Sequence, residues 1–120
     1  MIQGFRDLRV WQQGIQLVEE ICRASEHFPA REMYGLTNQL RRAAVSVPSN
    51  IAEGHTREHT KEYLNHISMA QASLAEVETQ LEIAARLRYL TPDALAALLR
   101  QIQSLGKQLY ALRNALGKKA

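Results

Sequence analysis

Tyr34-Gly35-Leu36-Thr37-Asn38-Gln39-Leu40-Arg41-Arg42-Ala43-Ala44-Val45-Ser46-Val47-Pro48-Ser49-Asn50-Ile51-Ala52-Glu53-Gly54 is the stretch that decides the fold. Leu36, Leu40, Ala43, Val47 and Ile51 recur at steps of three and four, the spacing of one buried helix face. Gln39, Arg42, Ser46, Asn50, Glu53 and, further on, Arg57 repeat at the same spacing and form a polar ladder. One helix therefore carries a core face and a hydrogen-bonding face. Pro48 lacks an amide proton and crowds the carbonyl of Ala44, so the helix is expected to kink there. Asn50-x-x-Glu53 offers a competing reading, the cap of a fresh helix. The apolar stripe keeps its phase through Pro48, which favours one kinked helix.

Working outward, helical periodicity repeats three more times. The first helix is expected over about 7–27, with Leu8, Trp11, Ile15, Val18 and Cys22 on one face and Val10, Leu17 and Ile21 widening it; His27-Phe28-Pro29 ends it. The second covers about 33–54. Gly54 to Thr60 reads as a connection, with Thr60 as N-cap and Glu62 in the first turn. The third helix, about 60–88, places Tyr63, Ile67, Ala70, Leu74, Val77, Leu81 and Ala84 in unbroken four-three alternation, a bundle seam. Thr91-Pro92-Asp93 supplies an N-cap, a proline at the first helical position and an early acid. The fourth helix, about 92–116, carries Leu95, Leu98, Ile102, Leu105, Leu109, Leu112 and Leu116. With no period-2 alternation and short connections, the expectation is all-α: one up-down-up-down four-helix bundle over residues 1–120. Gly14 and Gly106 inside helices each cost about 1 kcal/mol relative to alanine, which close helix approach would offset. Leu87, Tyr89, Leu90 and Leu99 fall off the main stripes and leave apolar surface for another subunit.

A chain of 120 residues, 46% hydrophobic, can bury a core without staples. Its single cysteine, Cys22, excludes an internal disulfide and reads as core, which points to a reducing, cytoplasmic setting. Met1 to Asp7 has no charged leader followed by an apolar run, and no stretch reaches the ~18 apolar residues of a spanning helix, so no membrane association is expected. Net charge is +3, unevenly spread: residues 94–120 hold Arg100, Lys107, Arg113, Lys118 and Lys119 and no acid. Such a segment suits an anionic partner, and equally a helix's wet face.

Catalytic patterns are missing: there is no glycine-rich phosphate loop, nucleophile elbow or acid/base pair. No enzymatic activity and no cofactor are expected. His55, His59 and His66 sit at steps of four and seven with Glu58 and Glu62 nearby, but two of them precede the helix, so no metal site is assigned. Glu76, Glu78 and Glu82 lack the Glu-x-x-His pattern of a di-iron bundle and read as arginine partners. Gln39, Arg42, Ser46, Asn50, Glu53, Arg57, Glu76 and Glu78 are read as a polar network between helices or subunits, with Arg42 held by Glu76 or Glu78; ligand or RNA contact is the other reading. On the fourth helix, Arg100, Gln103, Lys107, Asn114 and Lys118 fall on one line opposite the leucines. Together with Arg113 and Lys119 the cations make a basic surface, with only Tyr110 and Tyr89 for stacking, so contact with RNA or DNA should be to phosphate.

The chain also resembles a known family, the small four-helix-bundle proteins encoded in intervening sequences of bacterial 23S rRNA genes. The resemblance runs through Phe5-Arg6-Asp7-Leu8-Arg9-Val10-Trp11-Gln12, the Tyr34 to Gly54 run with Arg57, Glu62-Tyr63-Leu64, Ala75-Glu76-Val77-Glu78-Thr79-Gln80-Leu81 and Tyr89-Leu90, about three-quarters of the chain. Gly14 departs from it, where relatives tend to carry a helix former. The chain is similar, too, to the accessory protein of diversity-generating retroelements. These resemblances imply a homo-oligomer, a pentameric ring with a central channel, that associates with nucleic acid and a reverse transcriptase and has no established enzymatic activity. Two functions are thus carried forward: an oligomeric scaffold that binds nucleic acid non-specifically, and an oligomeric protein–protein adaptor.

Overall fold

The computed structural model describes residues 4–119. Met1, Ile2 and Gln3, part of the start read as leaderless, lie outside the described residues, as does Ala120. Four helices form: α1 (Arg9–Ser25), α2 (Leu36–His55), α3 (Thr60–Arg86) and α4 (Pro92–Gly117), with short 3-10 turns at Phe5–Asp7 and Ala30–Glu32. There is no strand among the described residues. The 26 residues of α4 make a rod of about 39 Å, nearly the full 45 Å long axis of the molecule.

Each helix packs on its sequence neighbours and α4 closes back on α1, while the diagonal pairs α1–α3 and α2–α4 do not meet. The helices are thus the corners of a square bundle, and α2–α3 is its most extensive contact. The first and third connections share one end: the Phe28 and Tyr89 rings lie 5.5 Å apart, and Tyr89 Oη donates to Glu32 Oε2 at 2.9 Å. Up-down-up-down connectivity follows. The other end holds the α2–α3 turn and both described chain ends.

The core is the set of stripes on α2, α3 and α4. Leu40, Val47 and Ile51, then Ile67, Val77 and Leu81, then Leu105 and Leu109, are almost wholly withdrawn from water. α1 differs from its expected face. Its buried line is Val10, Gly14, Leu17, Ile21 and Ser25; Trp11 and Val18 flank the core, Cys22 is half-buried and Ile15 is exposed. The cause is Gly14. A Cβ there would stand 3.2 Å from the Pro48 Cβ, so α1 sits glycine-first on α2 and turns Ile15 outward. Gly106 is not such an approach, since a Cβ there would meet only Leu74 Cδ2 at an ordinary 3.7 Å.

α2 runs as one helix through Pro48, so the fresh-helix reading of Asn50-x-x-Glu53 fails. α4 starts as expected: Thr91 Oγ1 accepts the Ala94 amide at 3.1 Å. α3 begins one residue early, with Thr60 already helical and His59 as an N-cap whose side chain makes no cap bond. Its far end is a Schellman motif on a non-glycine residue. Arg88 takes φ 67° and the Tyr89 amide donates to the Ala84 carbonyl at 2.8 Å, at a cost of ~1 kcal/mol that glycine would avoid. Beyond it, Leu90 enters the core while Tyr89 and Leu99 pack against it. Of the off-stripe set, only Leu87 stays half-exposed. No helix among the described residues is long and apolar enough to cross a membrane.

Candidate nucleic-acid interface

The polar ladder lies along the α2–α3 seam. Asn50 Nδ2 donates to the Ser46 carbonyl at 2.9 Å and to Ser46 Oγ at 3.0 Å. That leaves Asn50 Oδ1 as the atom facing His66 Nδ1 at 3.0 Å. An amide oxygen only accepts, so the Nδ1 of His66 carries the proton. Ser46 Oγ in turn stands 2.9 Å from Ser73 Oγ, a bond in which either hydroxyl can donate. A hydrogen-bonded chain, His66–Asn50–Ser46–Ser73, thus ties two helices along a part-buried seam. Glu53 Oε2 stands 3.6 Å from His66. Arg57 pairs with Glu62 at 3.7 Å across the turn.

Where this chain meets the end of the seam, the backbones close up. Gly54 is the buried last turn of α2 rather than the start of a connection. A Cβ there would stand 2.8 Å from His66 Cβ and 3.0 Å from Tyr63 Cδ1, so only glycine lets the helices approach this far. The contact also buries Tyr63, whose phenol is pushed above its ordinary value by desolvation.

At the other end of the ladder the side chains open to water. Gln39, Arg42, Ser46, Ser73 and Glu76 line a shallow groove with Asn38 and Ala43. Arg42 is exposed and forms no ion pair with Glu76 or Glu78 among the described residues. Glu76 instead accepts from Gln80 Nε2 at 3.4 Å, and Glu78 is exposed. Within one protomer, Arg42→Ala is therefore expected to change stability by less than about 0.5 kcal/mol, measured by urea denaturation. A loss of ~2 kcal/mol would show a pair that this geometry lacks.

Arg41, its neighbour, is the arginine with a structural task. Its Nε donates to Ser25 Oγ at 2.8 Å and its Nη2 to the Cys22 carbonyl at 3.4 Å. It so binds the last turn of α1. The spacing of the ladder gave no hint of this, because Arg41 faces α1.

Arg100, Lys107 and Arg113 of α4 and Lys118 and Lys119 just after it are all exposed, and none has a carboxylate within ion-pair distance among the described residues. Three of them line two grooves. Arg100 lines one between α1 and α4 with Gln13, Gln16, Gln101 and Ser104. Arg113 and Lys118 line the other, between α3 and α4, with Leu64, Tyr110, Asn114 and Gly117. Arg113 Nη1 is steadied by Gln71 Oε1 of α3 at 3.5 Å. Lys107 lies on the outer line of α4, and Lys118 and Lys119 follow its last turn. Sequence arithmetic places Arg113 away from the line of Arg100, Lys107 and Lys118; the structure brings it to Lys118 by way of the α3 wall.

Among the described residues, no three His, Cys, Asp or Glu side chains converge as a metal site would require. His55 stands edge-on to Tyr63, ring centroids 5.8 Å apart, and His66 is committed to Asn50. No curated protein matches the chain. The sequence model of the 23S rRNA-intervening sequence proteins matches residues 6–111, from the first turn through most of α4, and the last turns of α4 lie past the match. With that match spanning most of the chain and a four-helix structure in agreement, the protein belongs to the 23S rRNA-intervening sequence protein family.

Proposed function

We propose that the protein is a non-enzymatic homo-oligomeric scaffold, a ring of five copies, that binds RNA or DNA without sequence choice through the basic surface of α4. The observation that carries this reading is that Arg100, Lys107 and Arg113 on α4, whose only acid is Asp93 at its first turn, and Lys118 and Lys119 just after it form no ion pair among the described residues. Unneutralised cations on a rigid rod suit a polyanion. A ring multiplies the effect: a +3 protomer becomes +15 in five copies. The resemblance to the retroelement accessory protein adds a reverse transcriptase as a candidate protein partner.

Binding is expected to fall steeply with salt, with a log–log slope of about −0.9 per phosphate neutralised on duplex DNA and about −0.7 on single strands. Changing Arg100, Lys107, Lys118 and Lys119 together to glutamine should weaken all sequences alike while the assembly persists. Wild-type protein that retains neither RNA nor DNA in a low-salt mobility-shift titration would sink the proposal.

Assembly has its own support. Ile83 and Leu87, one turn apart at the end of α3, are each roughly half exposed, as are Met69 further up α3 and Val45 on α2. Together with the family resemblance, these bare apolar side chains support contact with another copy. Light scattering is expected to give a multiple of 13.6 kDa; a monomer across micromolar concentrations would overturn assembly. The same exposed apolar side chains serve the adaptor reading, in which a protein docks on them and the cations only solubilise. Salt-insensitive behaviour with no nucleic-acid retention would support it.

A further inference from the structure

We infer that the α3–α4 groove takes an unpaired base stacked on Tyr110, with the flanking phosphates on Arg113 and Lys118, so that the preferred ligand is a single strand. The inference rests on the nucleic-acid reading above and specifies its ligand. Tyr110, Arg113, Asn114 and Gly117 recur at steps of three, one and three on α4, which puts them on one flank of the helix. With Lys118 and Leu64 they bound a cleft of about 720 Å³, and no carboxylate lines it among the described residues.

Tyr110 is 61% exposed. Three ring pairs form among the described residues, Phe5 with Trp11, Phe28 with Tyr89 and His55 with Tyr63, and Tyr110 belongs to none of them. A large aromatic face is therefore held on a rigid helix beside two cations, next to an apolar wall from Leu64. Asn114 adds both a donor and an acceptor for a base edge.

A base inside a duplex has both faces covered by its neighbours and can offer Tyr110 nothing. An unpaired base can turn a face outward. Stacking on an aromatic ring is indifferent to base identity, so this contact adds a preference for strandedness without one for sequence. Duplex nucleic acid would meet only the cations.

The test is fluorescence anisotropy with a labelled oligouridine and a labelled RNA duplex at low salt. Tyr110→Ala is expected to weaken oligouridine binding about 5- to 150-fold, the equivalent of ~1–3 kcal/mol for one stacked base, and to leave duplex binding within about twofold. Tyr110→Phe should retain wild-type affinity. Equal losses on both ligands, or no loss on oligouridine while the four-cation variant loses binding, would overturn the stacking site and leave the nucleic-acid reading standing. No binding of either ligand by wild-type protein would overturn both. Photocrosslinking of an iodouridine oligonucleotide to unaltered protein gives a check that needs no variant: adducts on the peptide holding Tyr110 are expected, and adducts confined to other helices refute the site.

Discussion

Gly54→Val is expected to be among the most damaging single substitutions on the α2–α3 seam, costing about 3 kcal/mol or more. Even the first added carbon would stand 2.8 Å from His66 Cβ and 3.4 Å from the Tyr63 carbonyl, so the backbones must part. Overpacking of this kind costs ~1–3 kcal/mol for a methyl group, and a branched side chain adds to it. For Gly54→Ala the helix-propensity gain of up to ~1 kcal/mol works the other way, leaving a net loss of about 1–2 kcal/mol. Gly106→Ala is the matched control: the same propensity gain, but a new methyl that meets only Leu74 Cδ2 at 3.7 Å. It should raise stability by up to about 1 kcal/mol. Urea denaturation of the three variants decides the matter. If Gly54→Ala proves as stable as Gly106→Ala, the close approach at Gly54 is not real.

Asn50→Ala is expected to cost about 2–3 kcal/mol. The side chain is the one link between His66 and Ser46, and its loss removes three hydrogen bonds from a part-buried seam and leaves the His66 ring N–H with only Glu53, at 3.6 Å, as an acceptor. Asn50→Asp should do little better, because an oxygen would replace the Nδ2 that donates to the Ser46 carbonyl and two acceptors would face each other. A double-mutant cycle with Ser73→Ala separates a connected chain from independent contacts. Coupling of about 0.5 kcal/mol or more is expected, and strictly additive losses would show that the bonds do not act together.

These two positions mark how far the residues can be read without coordinates. Ile67, Ala70, Leu74, Val77, Leu81 and Ala84 announce their burial because a strict heptad admits one face only, and all six are buried. α1 offers apolar residues on two adjoining stripes, and nothing in their type says which faces inward. Gly14 settles it through contact with Pro48, a residue 34 positions away in sequence. Gly54 escaped notice for a related reason: a glycine after Ala52-Glu53 suits a helix end as well as a tight crossing, and the crossing depends on Tyr63 and His66 of another helix. The spacing of Ser46, Asn50 and Glu53 shows that a polar stripe exists. Its partners, His66 and Ser73, stand one heptad apart beside the α3 seam, but that spacing does not say which helix they face. The α4 cations are visible by charge alone, whereas their division into two grooves needs Gln13 and Gln16 on one side and Leu64 and Gln71 on the other.

The shared location of the α2–α3 turn and both described chain ends has a consequence for symmetry. Lys118 and Lys119 sit at that same end, so the two ends of the bundle differ in kind: the lysine tail at one, the Phe28–Tyr89 contact with Arg31 beside it at the other. Copies related by a rotation axis parallel to the bundle would all point the same way and collect like ends on a single rim. A two-fold axis perpendicular to the bundle would instead alternate them. A cyclic ring of this chain would therefore have two unlike entrances, one edged by the lysine tails and the other by the Phe28–Tyr89 contact.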